Sequence, residues 1–184
     1  MVIGIDIDDT MTDTSELIMV NAKKYFNRDD EEFIYEILHL KNLDDNLLNF
    51  YKKYLPNMLE NYKLKDNVKE VIDRLREKGN KVIVITARGN SFDMGQVEST
   101  NEYFKKHNII VDDIIMKEKD KKPVCKKMNV DIMIDDSISV LESLKDSSTK
   151  PLLFSSIGNQ NQDVDFDRVD NWLDLERYIT NLKS

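Results

Sequence analysis

The first apolar run of the chain ends in acid: Val2-Ile3-Gly4-Ile5 is followed at once by Asp6-Ile7-Asp8-Asp9-Thr10. A short β-branched run of this kind reads as a buried strand. Crowding carboxylates at its tip is costly unless positive charge compensates them. The compensator that suits closely packed oxygen ligands is a hard divalent cation such as magnesium. Two further runs end in reactive residue types. Val82-Ile83-Val84-Ile85 leads into Thr86-Ala87-Arg88-Gly89, and Ile132-Met133-Ile134 leads into Asp135-Asp136-Ser137. Between them in sequence, residues 117–127 hold six lysines against Glu118 and Asp120. Carboxylates, a hydroxyl and lysine at separate tips describe a metal site beside an anion site.

Such residues meet only if their strands end side by side at one edge, where open parallel sheets bind their ligands. Five near-continuous apolar runs fit strands buried on both faces: residues 2–5, 81–86, 113–116, 131–134 and 151–154. Helical patterns separate the later ones. Asp66-Asn67 opens a helix through Val68, Val71, Ile72 and Leu75 that Gly79 terminates. Ser137 caps one through Ile138, Leu141 and Leu144, and Asn171 or Asp174 opens a last one through Leu175, Tyr178, Ile179 and Leu182. The alternation predicts an α/β fold, a Rossmann-like three-layer core with a parallel sheet of about five strands.

Residues 15–65 carry no strand signal but show helical stretches at 15–26, 31–40 and 44–59. Pro56 should kink or end the third near Leu55. A crossover needs one helix, so the surplus reads as a small helical cap inserted after the first strand. The expected organisation is a catalytic core of residues 1–14 and 66–184 with a cap of residues 15–65. The cap aromatics, among them Tyr25, Phe26, Phe33, Phe50, Tyr51 and Tyr62, read mostly as packing between its helices, with one or two left to face a substrate. Residues 155–168 read as a long polar loop.

Composition narrows the function classes. The chain is 184 residues long with 40% hydrophobic and 34% charged residues, which fits one domain with an inserted subdomain. A net charge of −8 disfavours unspecific binding to nucleic-acid backbone or anionic membrane, so an anionic substrate must find a local positive site. The single cysteine, Cys125, forbids an internal disulfide and fits a reducing cytosol. It reads as a small buried apolar residue in preference to a nucleophile. Asp6 interrupts the N-terminal apolar run too early for a signal peptide, and nothing approaches the roughly 18 apolar residues of a membrane span. A cytoplasmic protein is expected.

Asp6-x-Asp8-x-Thr10, Thr86 behind an apolar strand, a lysine, then Asp135-Asp136 resemble the four-motif set of the haloacid dehalogenase (HAD) superfamily. The resemblance spans essentially the whole chain in motif order and spacing. The size and position of the cap, with Ile85-Thr86-Ala87-Arg88 and Ile134-Asp135-Asp136-Ser137, are similar to those of bacterial 5′(3′)-deoxyribonucleotidase-like proteins. The resemblance implies that Asp6 is a nucleophile forming an aspartyl-phosphate. Asp8 is then the general acid that protonates the leaving alcohol and the base that activates water. To act as an acid near pH 7 it should have a raised pKa, from confinement beside other acids. Mg2+ would be held by the Asp6 side chain, the Asp8 backbone carbonyl and the Asp135 side chain. Asp136 would stand one step behind the ion. Thr86, nearby backbone amides such as that of Ala87, and a lysine would hold phosphoryl oxygens. Asp120-Lys121 matches the family's Asp-Lys pair, which favours Lys121 over Lys122.

Asp8 also separates branches of the superfamily, because a departing halide needs no proton whereas a departing alcohol does. The implied activity is a phosphoric monoester hydrolase of the 5′-nucleotidase type, acting on nucleoside or deoxynucleoside monophosphates. The alternatives are a phosphatase of sugar phosphates or other small metabolites, and a non-catalytic binding protein that keeps the fold. The implied partner is a small phosphomonoester, with no nucleic-acid polymer and no membrane. Other readings stand beside these. Asp8-Asp9-Thr10 could cap a helix. Arg88 could hold phosphate or pair with a cap carboxylate. His39, in a cap helix, and His107, at a helix end, read as structural or exposed.

Overall fold

The computed structural model describes residues 1–38, 44–90 and 95–182. Six strands form one parallel sheet: β1 (Val2–Ile5), β2 (Lys81–Ile85), β3 (Asp113–Ile115), β4 (Ile132–Asp135), β5 (Lys150–Phe154) and β6 (Arg168–Val169), in the order β3-β2-β1-β4-β5-β6. The chain runs outward from β1 to β3 on one side and then from β4 to β6 on the other. The switch falls between β1 and β4, where this class of sheet opens a crevice beyond its strand ends. Ile5 pairs with Val84 on one side and with Ile134 on the other, so the residues following all three strands emerge together.

Alternate residues along each strand feed two separate apolar layers. Ile3, Ile5, Val82, Val84, Ile132 and Ile134 pack on one face with α4 (Val68–Glu77), α5 (Gln96–Lys106) and α8 (Trp172–Asn181). Ile83, Ile85, Met133 and Leu153 pack on the other with α6 (Lys122–Met128) and α7 (Ile138–Leu144). This is the expected three-layer α/β arrangement, with one strand more than the five read from sequence. The sixth is two residues long, too short for a hydrophobic pattern, and it begins at the last residue of what reads as a polar loop. Cys125 sits fully buried in the second layer, and burial pushes its thiol up to about 11.

Between β1 and α4 the chain forms α1 (Thr14–Phe26), α2 (Glu31–Leu38) and α3 (Asp45–Asn61), whose buried side chains continue the first apolar layer. His39 and Leu40, the last two residues of the second expected helix, lie outside the described residues. α3 runs through Pro56 to Asn61 and does not end at Leu55. The physical reason is placement: Lys52, whose carbonyl loses its partner, and Pro56 both face solvent, while Leu55, Met58 and Leu59 stay buried. Most of the aromatics meet one another, as in Tyr25–Phe50 at 5.6 Å and Phe50–Tyr51 at 5.1 Å between ring centroids. The segment enters and leaves at one neck. Asp13 N–H donates to Lys63 O at 2.9 Å, Lys65 N–H to Met11 O at 2.9 Å, and Lys65 Nζ pairs with Asp13 at 2.7 Å.

Gly4 explains itself by close approach. A Cβ there would lie 2.8 Å from Met133 Sδ and 3.2 Å from Val130 Cγ1. Gly4→Val should therefore cost about 1–3 kcal/mol through overpacking. Urea unfolding followed by circular dichroism would register this as a lowered midpoint with an unchanged slope.

Candidate active site

Asp6 directly follows β1, and its N–H donates to Ile134 O at 2.9 Å, which locks it beside the end of β4. Asp135 is the last residue of β4, with Oδ1 accepting the Ser137 N–H at 2.9 Å. Lys121 stands just before α6 and sends its Nζ between the two acids. It donates to Asp6 Oδ1 and to Asp135 Oδ2, the latter at 2.7 Å. A lysine gains nothing from a helix N-terminus, so the two carboxylates are what hold it there. All three are nearly dry: Lys121 is 3% exposed, Asp135 1% and Asp6 6%. Burial favours the neutral form of Lys121, but Asp135 and Asp6 outweigh it and raise its pKa. Asp6 goes the other way. Burial pushes it up to about 7 against the pull of Lys121, with Asp135 and Asp8 adding repulsion. Of the two adjacent lysines, Lys121 is the one placed in the site.

Asp136 adds a third carboxylate. One oxygen each from Asp6, Asp135 and Asp136 lie within 4.8 Å of one another. Burial, with repulsion from Asp135, Asp9 and Asp6, holds Asp136 well above the usual carboxylate range. Three carboxylates around one ammonium leave two negative charges uncompensated when all are ionised. An all-oxygen donor set with that deficit fits a hard divalent cation. Asp136 thus brings a carboxylate oxygen within 4.8 Å of those of Asp6 and Asp135.

Asp8 has a different environment. Its side chain is 38% exposed and turns to Arg88, whose Nη2 lies 2.6 Å and Nε 3.0 Å from its oxygens, while Thr14 Oγ1 donates at 2.7 Å. Burial raises the Asp8 pKa, but the charge and hydrogen bonds of Arg88 and the bond from Thr14 outweigh it and lower the pKa overall. This corrects the sequence expectation of a raised value. Asp8 is paired with a guanidinium instead of being confined among acids. Arg88 is itself buried, with Nη1 donating to Thr100 Oγ1 at 3.2 Å and its guanidinium 4.9 Å from the Tyr62 ring centre. In this structure its guanidinium pairs with Asp8, the acid of the first motif.

The remaining motif residues divide. Thr86 is buried at the end of β2 and its Oγ1 accepts the Arg88 N–H at 3.3 Å. Ala87 follows in the same turn, which Gly89 closes at φ 80° with its N–H on Gln96 Oε1. Asp9 serves the helix: its carboxylate accepts both the N–H and the hydroxyl of Ser15 in the first turn of α1. Ser137 precedes α7, but its side chain makes no capping bond and pairs with Ser139 instead. His107 ends α5, half-buried against the Tyr103 ring.

Two cavities adjoin at Asp8. One, of about 460 Å³, is walled by Asp6, Thr86, Lys121, Asp135 and Asp136. The other, of about 330 Å³, opens toward the inserted helices and is lined by Ile18, Ile37, Tyr51, Leu55 and Tyr62 together with the polar side chains of Asp9, Thr14, Ser15, Arg88, Asn90 and Gln96. Asp8, Ala87 and Lys119 line both. Sequence reasoning passed over Thr14, Thr100, Ser156 and Asn159, which hold Asp8, Arg88 and Asp136. Single polar residues 6 to 23 positions from their partners give no pattern that marks them.

A family described as "5′ nucleotidase, deoxy (Pyrimidine), cytosolic type C protein" matches residues 1–184. The chain is 29% identical over 180 residues to a nucleotidase of Clostridium acetobutylicum, covering 92% of this chain and 88% of that protein. In fold it is similar to a haloacid dehalogenase-like hydrolase of Streptococcus pneumoniae, with TM-score 0.69, 14% identity and 97% of each chain covered. It is also similar to CbbY of Rhodobacter sphaeroides, solved with xylulose-(1,5)bisphosphate, with TM-score 0.66, 15% identity and 93% and 94% coverage.

The charge balance around Lys121 makes a direct prediction. Lys121→Met, read by urea unfolding in the presence of chelator, should lose about 3–5 kcal/mol, the cost of leaving buried charge unpartnered. Wild-type stability in that variant would mean that the ammonium is not what holds the acids together.

Proposed function

Because the chain belongs to the 5′ nucleotidase, deoxy (pyrimidine), cytosolic type C family of HAD-superfamily hydrolases, we propose that it is a magnesium-dependent phosphomonoesterase of nucleoside or deoxynucleoside monophosphates, acting in the cytoplasm. The observation that carries the substrate reading is the position of Asp8. It lies where the cavity walled by Asp6, Lys121 and Asp135 meets the one that Tyr51 and Tyr62 line. A phosphomonoester laid across that boundary has its phosphoryl group by Asp6 and its leaving alcohol by Asp8. The nucleoside then lies against the two tyrosines, where a base can stack.

In this reading Asp6 attacks phosphorus, the bond to the leaving oxygen breaks, and Asp8 gives that oxygen its proton. Water then attacks the aspartyl-phosphate on Asp6, Asp8 takes the proton, and free phosphate and Asp6 are restored. Arg88 keeps Asp8 ionised in the resting site, the form needed for the second half. The arriving phosphoryl dianion favours the protonated form needed for the first, because like charge beside a carboxylate raises its pKa. Lys121, Thr86 and the Ala87 amide hold phosphoryl oxygens. The side chains of Asp6 and Asp135 and the backbone carbonyl of Asp8 would hold Mg2+, with Asp136 in reach. When bound, the ion neutralises phosphoryl charge so that a carboxylate can approach. Residues 15–65 act as the cap over a core of 1–14 and 66–184, hinged at the neck of residues 11–13 and 63–65.

Phosphate release from a panel of ribo- and deoxyribonucleoside monophosphates, sugar phosphates and p-nitrophenyl phosphate tests the proposal. Turnover should be highest on nucleotides, vanish with chelator and vanish in Asp6→Asn. In Asp8→Asn, kcat should fall by about 10²- to 10⁴-fold, the usual worth of a positioned acid–base. Turnover confined to sugar phosphates would replace the substrate and keep the mechanism. Turnover surviving Asp6→Asn would remove the mechanism.

A further inference from the structure

The loop that follows β5 reaches back to the acidic cluster. Ser156 Oγ donates to Asp136 Oδ2 at 3.1 Å, and Asn159 Nδ2 donates to the backbone carbonyl of Asp136 at 2.8 Å. Asn159 is 2% exposed. Its Nδ2 also meets Phe154 O at 2.9 Å, and its Oδ1 accepts from Ser156 N–H at 3.1 Å and Arg168 Nη1 at 2.9 Å. All four hydrogen-bonding positions of the amide are therefore filled. Arg168 lies in β6 and can only donate, so the amide oxygen must face it and the amide nitrogen must face Asp136. The same guanidinium also donates to Gln162 O at 2.8 Å, which fixes it within the loop.

Nothing in the opposing chemistry would keep Asp136 there. One of its oxygens lies within 4.8 Å of oxygens of Asp6 and Asp135, and Lys121 donates to those two acids but not to this one. A half-buried carboxylate facing like charge swings out to water unless something bonds it in place. We infer that Ser156 and Asn159 are positioning residues for the divalent-cation site: they hold Asp136 against the repulsion of its neighbours so that its oxygen is already aimed when the ion arrives. β6 is part of this device, since Arg168 sets the orientation of Asn159. The inference rests on the metal reading of the cluster given above, and it extends that site to a loop and an edge strand.

Groups that orient a metal's ligands are worth about 10- to 100-fold in affinity when removed. The test is Mg2+ binding by calorimetry and Mn2+ binding by electron paramagnetic resonance, with the metal-induced rise in Tm as an independent readout. Ser156→Ala and Asn159→Ala should each weaken binding about 10- to 100-fold and shrink that rise. Ser156→Thr, which keeps the hydroxyl, should restore both. A residue with only a structural role would lower Tm with and without metal alike and leave the affinity in place. Should Asn159→Ala fail to fold, the two Ser156 variants carry the test. Full wild-type affinity in folded Ser156→Ala overturns the inference and leaves the metal site standing. A wild-type protein that binds no divalent cation overturns the metal reading, and the inference with it.

Discussion

The ammonium of Lys121, lodged between Asp6 and Asp135, is the constraint on which the rest of the site depends. It ties together the tips of β1 and β4 and the start of α6, elements brought from 115 and 14 residues away in sequence. Removing water from all three groups is costly, and their mutual attraction repays it only because the geometry is tight. One ammonium does not balance three carboxylates, however. Burial and repulsion push Asp6 up to about 7 and hold Asp136 well above the usual range. The fold has built a place that remains short of positive charge after its own lysine is counted. That shortage is the physical basis for reading a divalent cation into it.

The second organising fact is the separation of two acids that stand two residues apart. Asp6 faces the cluster; Asp8 faces Arg88 and Thr14. Chain geometry allows this because Asp9 adopts a left-handed conformation, φ 57°, directly after Asp8. The strand thus gives way to a turn, and that turn leads into α1. Arg88 is in turn fixed by Thr100 from α5 and by the ring of Tyr62 at the exit from α3. The environment of Asp8 is therefore assembled from the sheet, a crossover helix and the inserted segment together. A change in any one of these would be felt at the same carboxylate.

Most of the framework could be read from the chain. The apolar runs at residues 2–5, 81–86 and 151–154 are long enough to declare strands buried on both faces. Gly79, at φ 77° past α4, ends its helix where expected. Asp6 and Asp135 announce themselves because each follows an apolar run, and Lys121 through the Asp120-Lys121 pair that resembles the family's. The illegible pairings depend on partners outside any local motif. Arg88 and Asp8 are 80 residues apart, and Asn159 and Asp136 are 23 apart. Neither pairing leaves a local pattern. Pro56 misled because propensity assumes that the lost hydrogen bond must be replaced inside the helix, whereas here it opens onto solvent. β6 has only two residues, fewer than any periodicity requires.

The central claim is that Asp6 becomes covalently phosphorylated within this charge-deficient cluster. The most direct measurement is a rapid quench during turnover of a nucleoside monophosphate with magnesium, followed by borohydride reduction and peptide mass spectrometry. An acyl phosphate at Asp6 would be reduced to homoserine, and this account predicts that product at Asp6 alone, absent when substrate or magnesium is omitted. Turnover with Asp6 unmodified throughout, or reduction at another carboxylate, would contradict it.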